Sequence, residues 1–296
     1  MGRGRLSTGS FPGARGRRIA WTSWETSADG DDHPRAVVIV AHGFGEHRKR
    51  YVHMAERLSV EGYAVFALDH HGHGESEGAR GRISFPDAVA DLDRLLDIAA
   101  ERYPDAPVFL LGHSMGGSLA LRYALAHGER LRGLILSGPL VQVEGRTAAK
   151  LLGRALAVVA PNLPLARLDP KLISRDPAVV GAYVEDPLVF HRPLPAATVS
   201  EFLRRAASLP DEVDRVSLPT LLMYGTADRL CDPAGAILVS ERLGSADLTT
   251  RRYDGLYHEI FNEPERDRVL DDLIAWLDER APARAGSEDP GPGASR

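Results

Sequence analysis

Leu110-Leu111-Gly112-His113-Ser114-Met115-Gly116-Gly117 sets one serine between two glycines, directly after an apolar run and directly before a run of helix formers. Residues 107–111 are short, bulky and apolar, as a buried parallel strand should be. Residues 118–125 follow with good helix formers and a polar position to face outward. A strand that turns straight into a helix crowds its backbone at the turn, and Gly112, Gly116 and Gly117 remove the side chains that would collide. The serine is left exposed at a strained tip, which is the mechanics of a G-x-S-x-G nucleophile elbow. A Gly-rich turn with an incidental serine would match the same short pattern, so the rest of the chain has to decide.

Outward from the elbow, strands and helices alternate. Residues 19–26 read as an edge strand carrying Trp21 and Trp24, and 36–41 as a continuous apolar strand ending in His42-Gly43-Phe44-Gly45-Glu46-His47. A helix over 51–60 and a buried strand over 63–68 lead to Asp69-His70-His71-Gly72-His73-Gly74. Residues 85–103 place Val89, Leu92, Leu95, Leu96 and Ala99 at helical intervals against Asp91, Asp93, Arg94 and Asp97. After the elbow come a strand over 131–137 and a lapse from about 143 to 209, helix-like and broken by prolines with no obvious strand. Strand and helix resume over 220–224, 233–243, 247–253 and 266–278. The alternation predicts an α/β fold with a mostly parallel central sheet and helices on both faces. The lapse predicts a helical cap inserted over the sheet's C-terminal edge, where ligands bind in such folds. The expected organisation is a flexible arm over 1–18, a core over 19–138 and 210–280, a cap over 139–209 and a disordered tail over 281–296.

Composition bounds the function. The chain has 296 residues, 44% of them hydrophobic and 26% charged, with a formal net charge of -5, so no basic field points to nucleic acid. A single cysteine, Cys231, leaves no intrachain disulfide framework. No apolar run approaches the roughly 18 residues a bilayer span needs. The first 18 residues carry arginines among Gly and Ser without the apolar core of a signal peptide, so a cytoplasmic address is expected.

A serine hydroxyl is a poor nucleophile until a base takes its proton, so the elbow requires a histidine and an acid that fixes that histidine's tautomer. On this fold the order should be serine, acid, histidine. His258 is the only histidine downstream of the acid candidates. Asp228 sits where the strand over 220–224 ends, which favours it over nearby Asp232 and over Asp254. The oxyanion of a tetrahedral intermediate needs preorganised N–H donors; those of Met115, next after the serine, and of Phe44, in the loop after an earlier strand, are the expected pair. Clustered His70, His71 and His73 suit zinc in principle, but a Gly-rich turn packed behind the oxyanion loop is the preferred reading. No metal or cofactor is expected.

Taken together, the segments 42–47, 69–76, 112–117 and Ala227-Asp228-Arg229-Leu230-Cys231-Asp232 resemble the monoacylglycerol lipases of the α/β-hydrolase superfamily. The resemblance covers roughly residues 19–279 and extends into the cap at Ala160-Pro161-Asn162-Leu163-Pro164 and over 183–188. It implies hydrolysis of a single-chain glycerol ester to fatty acid and glycerol. It also implies a polar glycerol pocket near Glu46 and Arg50, with Tyr183 reaching in from the cap. Phe261 stands where some relatives carry a further histidine, and Cys231 resembles a cysteine that modifies activity in some of them. A lysophospholipase would want a basic clamp at the alcohol end, for which Arg48, Lys49 and Arg50 are available. A broad carboxylesterase and a non-catalytic binding protein are also compatible with this fold. Residues 151–160 are nearly all apolar, and Leu152 and Leu156 there are expected to contact a membrane or micelle.

Overall fold

The computed structural model describes residues 5–26, 33–141, 158–206 and 208–282. Its main sheet has eight strands: β1 (Leu6–Pro12), β2 (Arg18–Trp24), β3 (Ala36–Ala41), β4 (Tyr63–Leu68), β5 (Val108–His113), β6 (Gly133–Ser137), and, after the cap, β9 (Thr220–Gly225) and β10 (Leu248–Tyr253). They lie in the order β1-β2-β4-β3-β5-β6-β9-β10. The β1/β2 and β2/β4 pairs are antiparallel and all others parallel.

Every residue of β3 and β4 is buried, as unbroken apolar runs require when both faces of a sheet are covered. The period of two then divides each strand between two cores. Val37 and Ile39 join one layer with Leu92 and Leu95 of α2 (Phe85–Arg102) and Leu119 of α3 (Met115–His127). Val38 and Val40 join the other with Met54 and Leu58 of α1 (Val52–Val60) and the C-terminal helix Arg266–Asp278 through Leu273 and Leu277. The sheet therefore holds the C-terminal ends of β3, β5, β6 and β9 side by side, and the site is built on those ends.

Two expectations need correction. Residues 6–18 are not a flexible arm: β1 pairs with β2 from Leu6↔Trp24 to Pro12↔Arg18, which makes β2 an inner strand. The pairing is made by the main chain, and Phe11 is the one fully buried side chain of β1, so the stretch carries no apolar pattern to read. The following turn is tied down as well, by Ala14 N–H donating to Asp91 at 2.6 Å and by Arg17 paired with Asp87 at 3.0 Å.

The cap is likewise not purely helical. β7 (Pro164–Ala166) and β8 (Leu194–Pro195) pair antiparallel across it, too short and too proline-rich to show a period. Its described helices are α4 (Pro177–Glu185) and α5 (Ala196–Arg205). Most of the apolar 151–160 stretch, including Leu152 and Leu156, lies outside the described residues, as do 283–296 of the expected tail. No helix among the described residues is long and apolar enough to cross a membrane.

Candidate active site

Ser114 lies between the last residue of β5 and the first of α3, at φ 55 and ψ -118. Among the described residues Arg15 is the only other non-glycine with positive φ. Such a conformation costs about 1–3 kcal/mol and persists where the surroundings over-determine it. They do so here: Ser114 N–H donates to Ser137 O at 2.9 Å, and Ser114 O accepts from Gly117 N–H at 2.9 Å and Leu140 N–H at 3.0 Å. The glycine pattern has its reason in two close approaches. A Cβ on Gly116 would stand 2.0 Å from Ala41 O, and one on Gly112 would stand 2.2 Å from Gly116 O.

Asp228 follows β9 and is buried. Its Oδ1 accepts from Leu230 N–H at 2.8 Å and Cys231 N–H at 2.9 Å, leaving Oδ2 for His258 Nδ1 at 2.7 Å. Burial opposes the charge on Asp228, but His258 and the two N–H donors hold its carboxyl below the usual range. The competing acids are engaged elsewhere: Asp232 caps the helix Pro233–Arg242 through Ala234 N–H, and Asp254 pairs with Arg252 at the surface. Burial also opposes a charged His258; Asp228, with Glu259 and Glu46 beyond it, more than offsets this and raises the imidazole above its ordinary value.

Ser114 and His258 line one cavity, and so do Gly43, Phe44 and Met115. Among the described residues neither Phe44 N–H nor Met115 N–H has an acceptor within the protein. The loop carrying Phe44 is fixed from behind, because His42 Nδ1–H donates to Gly43 O at 2.7 Å while His42 Nε2 accepts from His70 N–H at 3.0 Å. His71 Nε2 accepts from Ser84 N–H, and His73 Nδ1 faces His71 O. Burial lowers His42, His70 and His73, the last to about 3, so these three pack as neutral rings behind the loop.

The profile of the family described as "Serine aminopeptidase, S33" matches residues 32–265. The monoacylglycerol lipase of Mycolicibacterium smegmatis is 40% identical over 271 residues, which span 90% of this chain and 95% of that relative. The chain belongs to the monoacylglycerol lipase family of the α/β-hydrolase superfamily. The monoglyceride lipase of Mus musculus is 38% identical over 280 residues, 92% of this chain and 91% of that one. A solved structure of a soluble variant of the Saccharomyces cerevisiae monoglyceride lipase, in complex with a substrate analog, superposes with a TM-score of 0.83 at 26% identity, covering 96% of this chain and 97% of that one.

In this member of the monoacylglycerol lipase family, Glu46 and Tyr183 line the cavity, whereas Arg50 stands behind its wall. Arg50 is clasped by Glu259 at 2.6 and 2.7 Å, donates to Glu46 Oε2 at 2.9 Å, and lies under the Tyr183 ring at 4.8 Å. Its charge is answered by the protein, so its place is that of a positioning residue rather than of a direct ligand to substrate. Glu46 Oε1 accepts from Gly43 N–H at 2.6 Å and from Tyr51 O–H at 2.8 Å. Burial alone would raise the Glu46 carboxyl; Arg50, with His113 and His42, instead brings it to about 2.

Four residues of the site escape sequence reasoning. Glu259 lines the cavity directly after His258. His113 also lines it, with its ring 4.6 Å from that of His258; burial, then His258, lowers it to about 4. Glu263 is buried and accepts from Tyr257 N–H at 2.9 Å and from Arg175 N–H of the cap at 3.1 Å, which fixes the loop before His258. Tyr51 anchors Glu46. The available signal was only adjacency to motif residues. Cys231 sits with its Sγ 3.7 Å from Ser114 Oγ, and burial together with Asp228 pushes its thiol well up.

Proposed function

We propose that this protein hydrolyses the ester bond of monoacylglycerols to fatty acid and glycerol, with Ser114 as nucleophile, His258 as general base and Asp228 as the residue that orients it. The observation that carries the reading is the strained Ser114, opening into the same cavity as His258 while His258 Nδ1 is held by Asp228. With Nδ1–H donated to Asp228, the remaining lone pair of His258 is on Nε2, which takes the Ser114 proton as Oγ attacks the ester carbonyl carbon. The carbonyl oxygen becomes an oxyanion, for which Phe44 N–H and Met115 N–H are the donors, aided by the N-terminus of α3. Collapse expels the glycerol oxygen, which takes the proton from His258 and leaves an acyl ester on Ser114. A water molecule then repeats both halves of the sequence, releasing the fatty acid and restoring Ser114.

The cavity's composition supports a substrate with one apolar and one polar end. Leu168, Leu194, Val199, Phe202 and Leu203, all from the cap, suit an acyl chain, whereas Glu46 and Tyr183 supply polar lining. The cap also leaves apolar side chains in solvent: Val158 and Val159 are more than four-fifths exposed, with Leu163, Leu165 and Val184 also exposed. This edge rests on a lipid surface during turnover, since burial of apolar area at about 25 cal/mol per Å² suffices for weak, reversible docking.

The test offers the purified protein a monoacylglycerol, a diacylglycerol and a lysophosphatidylcholine of matched chain length. The monoacylglycerol should be hydrolysed fastest, with activity lost in Ser114→Ala. Preference for either other lipid, or activity that survives the substitution, contradicts the reading.

A further inference from the structure

The run Arg48-Lys49-Arg50 is the one cationic cluster beside the cavity's polar end that sequence alone could assign to an anionic head group. None of the three is free. Arg48 donates to Asp69 and, at 2.6 Å, to Glu75; Lys49 meets Glu75 at 2.6 Å; Arg50 is clasped by Glu259 and Glu46. No lysine or arginine is among the described residues that line the cavity, whereas Glu46 and Glu259 both are, and both are buried. Two buried carboxylates, Glu46 and Glu259, thus line the cavity and a third, Asp228, stands behind His258, with the mostly covered guanidinium of Arg50 between Glu46 and Glu259.

We propose that Glu259 is a specificity-determining residue that makes the alcohol end of the cavity an anion-excluding gate, admitting neutral or cationic alcohol halves and rejecting those that carry a phosphate. This rests on the proposed ester hydrolysis at Ser114 and narrows the class of alcohol that the site accepts. A glycerol hydroxyl is a donor, and carboxylate oxygens are acceptors with lone pairs to spare. Glu259 Oε1 accepts from Arg50 and Oε2 from Arg50 and Asn262, which leaves acceptor capacity toward the cavity. A phosphate brings only acceptors and negative charge into a low-dielectric enclosure of like sign, and it must shed its hydration without gaining a cation in return. Glu259 performs this doubly. It contributes negative charge at the wall, and it holds both terminal nitrogens of Arg50, the guanidinium behind that wall, so that neither is offered to a phosphate.

The test uses the full chain and three non-hydrolysable ethers of equal alkyl length: a 1-O-alkylglycerol, its 3-phosphate, and the analogue with an amine in place of the 3-hydroxyl. Each is measured as a competitive inhibitor of a short soluble ester. In the wild-type protein the phosphate should bind at least about tenfold more weakly than the neutral ether, and the amine no more weakly than the neutral ether. Glu259→Gln should close most of the gap between phosphate and neutral ether, and Glu259→Asp should retain it. Equal binding of phosphate and neutral ether by the wild type overturns the gate, as does an unchanged gap in Glu259→Gln. If the amide variant does not fold, the wild-type order of amine, neutral ether and phosphate still decides whether the enclosure excludes anions. Failure of the substrate reading is seen separately, as a wild-type protein that turns over the soluble ester but not a monoacylglycerol.

Discussion

At the floor of the cavity Ser114 is held at φ 55 by main-chain hydrogen bonds with Ser137 at the end of β6, Leu140 in the loop after it and Gly117 of α3, and by glycines that admit no side chain. The roof is attached by isolated contacts instead: Phe190 N–H to Gly45 O at 2.7 Å, Glu259 N–H to Ile173 O at 2.8 Å and Thr198 Oγ to Gly81 O at 2.7 Å. The difference separates two duties. Chemistry that depends on fractions of an ångström sits where the backbone has no alternative, whereas the acyl wall can yield to chains of different shape. Substitutions in the floor should therefore change rate with little effect on substrate choice, and substitutions in the roof should do the reverse.

The largest expected effect belongs to the floor. Ser114→Ala should lower kcat/KM by about 10⁴-fold or more and leave the melting temperature within a few degrees of wild type. Loss of activity by unfolding, visible as a collapsed melting temperature, would break the contrast. Asp228→Asn comes next, at about 10³ to 10⁴-fold in kcat. It carries a signature of its own in the pH profile. His258 must be neutral to act, and its pKa is raised in the folded protein, so wild-type activity should fall as pH drops through a value higher than that of an ordinary histidine. Removing the Asp228 charge should move that acid limb to lower pH; an unmoved limb would assign the titration to another group.

Glu46→Ala removes the acceptor for Gly43 N–H and a partner of Arg50. The expected loss is about 1.5–3 kcal/mol of transition-state stabilisation, felt equally by a monoacylglycerol and by a simple alkyl ester because the oxyanion loop serves both. A loss confined to the monoacylglycerol would make Glu46 a ligand of the alcohol instead.

The smallest effect is on stability. His113 and His73 stay neutral in the fold down to about 4 and about 3, whereas in the unfolded chain each takes a proton near pH 6.5. The unfolded state thus binds more protons below that point, and stability present at neutral pH declines as the pH falls. Between pH 6.5 and 5 each histidine should cost about 1–2 kcal/mol in urea unfolding, and His73→Gln should flatten the slope.

What sequence could supply follows the same division. The elbow and Asp228 were legible because the sheet imposes them locally, through continuous apolar runs, glycines at a crowded turn and an acid at a strand end, whereas His258 was legible as the only histidine downstream of the acid candidates. β1 was not legible, because main-chain pairing leaves no apolar trace beyond Phe11. Arg50 looked available to a ligand because the partner that claims it, Glu259, lies 209 positions away in the chain. Adjacency to His258 was the only hint that Glu259 would face the cavity. The strands β7 and β8 were hidden by their lengths of three and two residues.

The central claim, that hydrolysis runs through Ser114 activated by His258, is tested most directly by stoichiometric labelling with a serine-directed phosphonate, read by peptide mass spectrometry against residual hydrolysis of a monoacylglycerol. One label per chain, located on Ser114, should appear in step with the loss of activity, and His258→Ala should suppress both. A label on another residue, or monoacylglycerol turnover that persists when Ser114 is fully modified, would contradict the account.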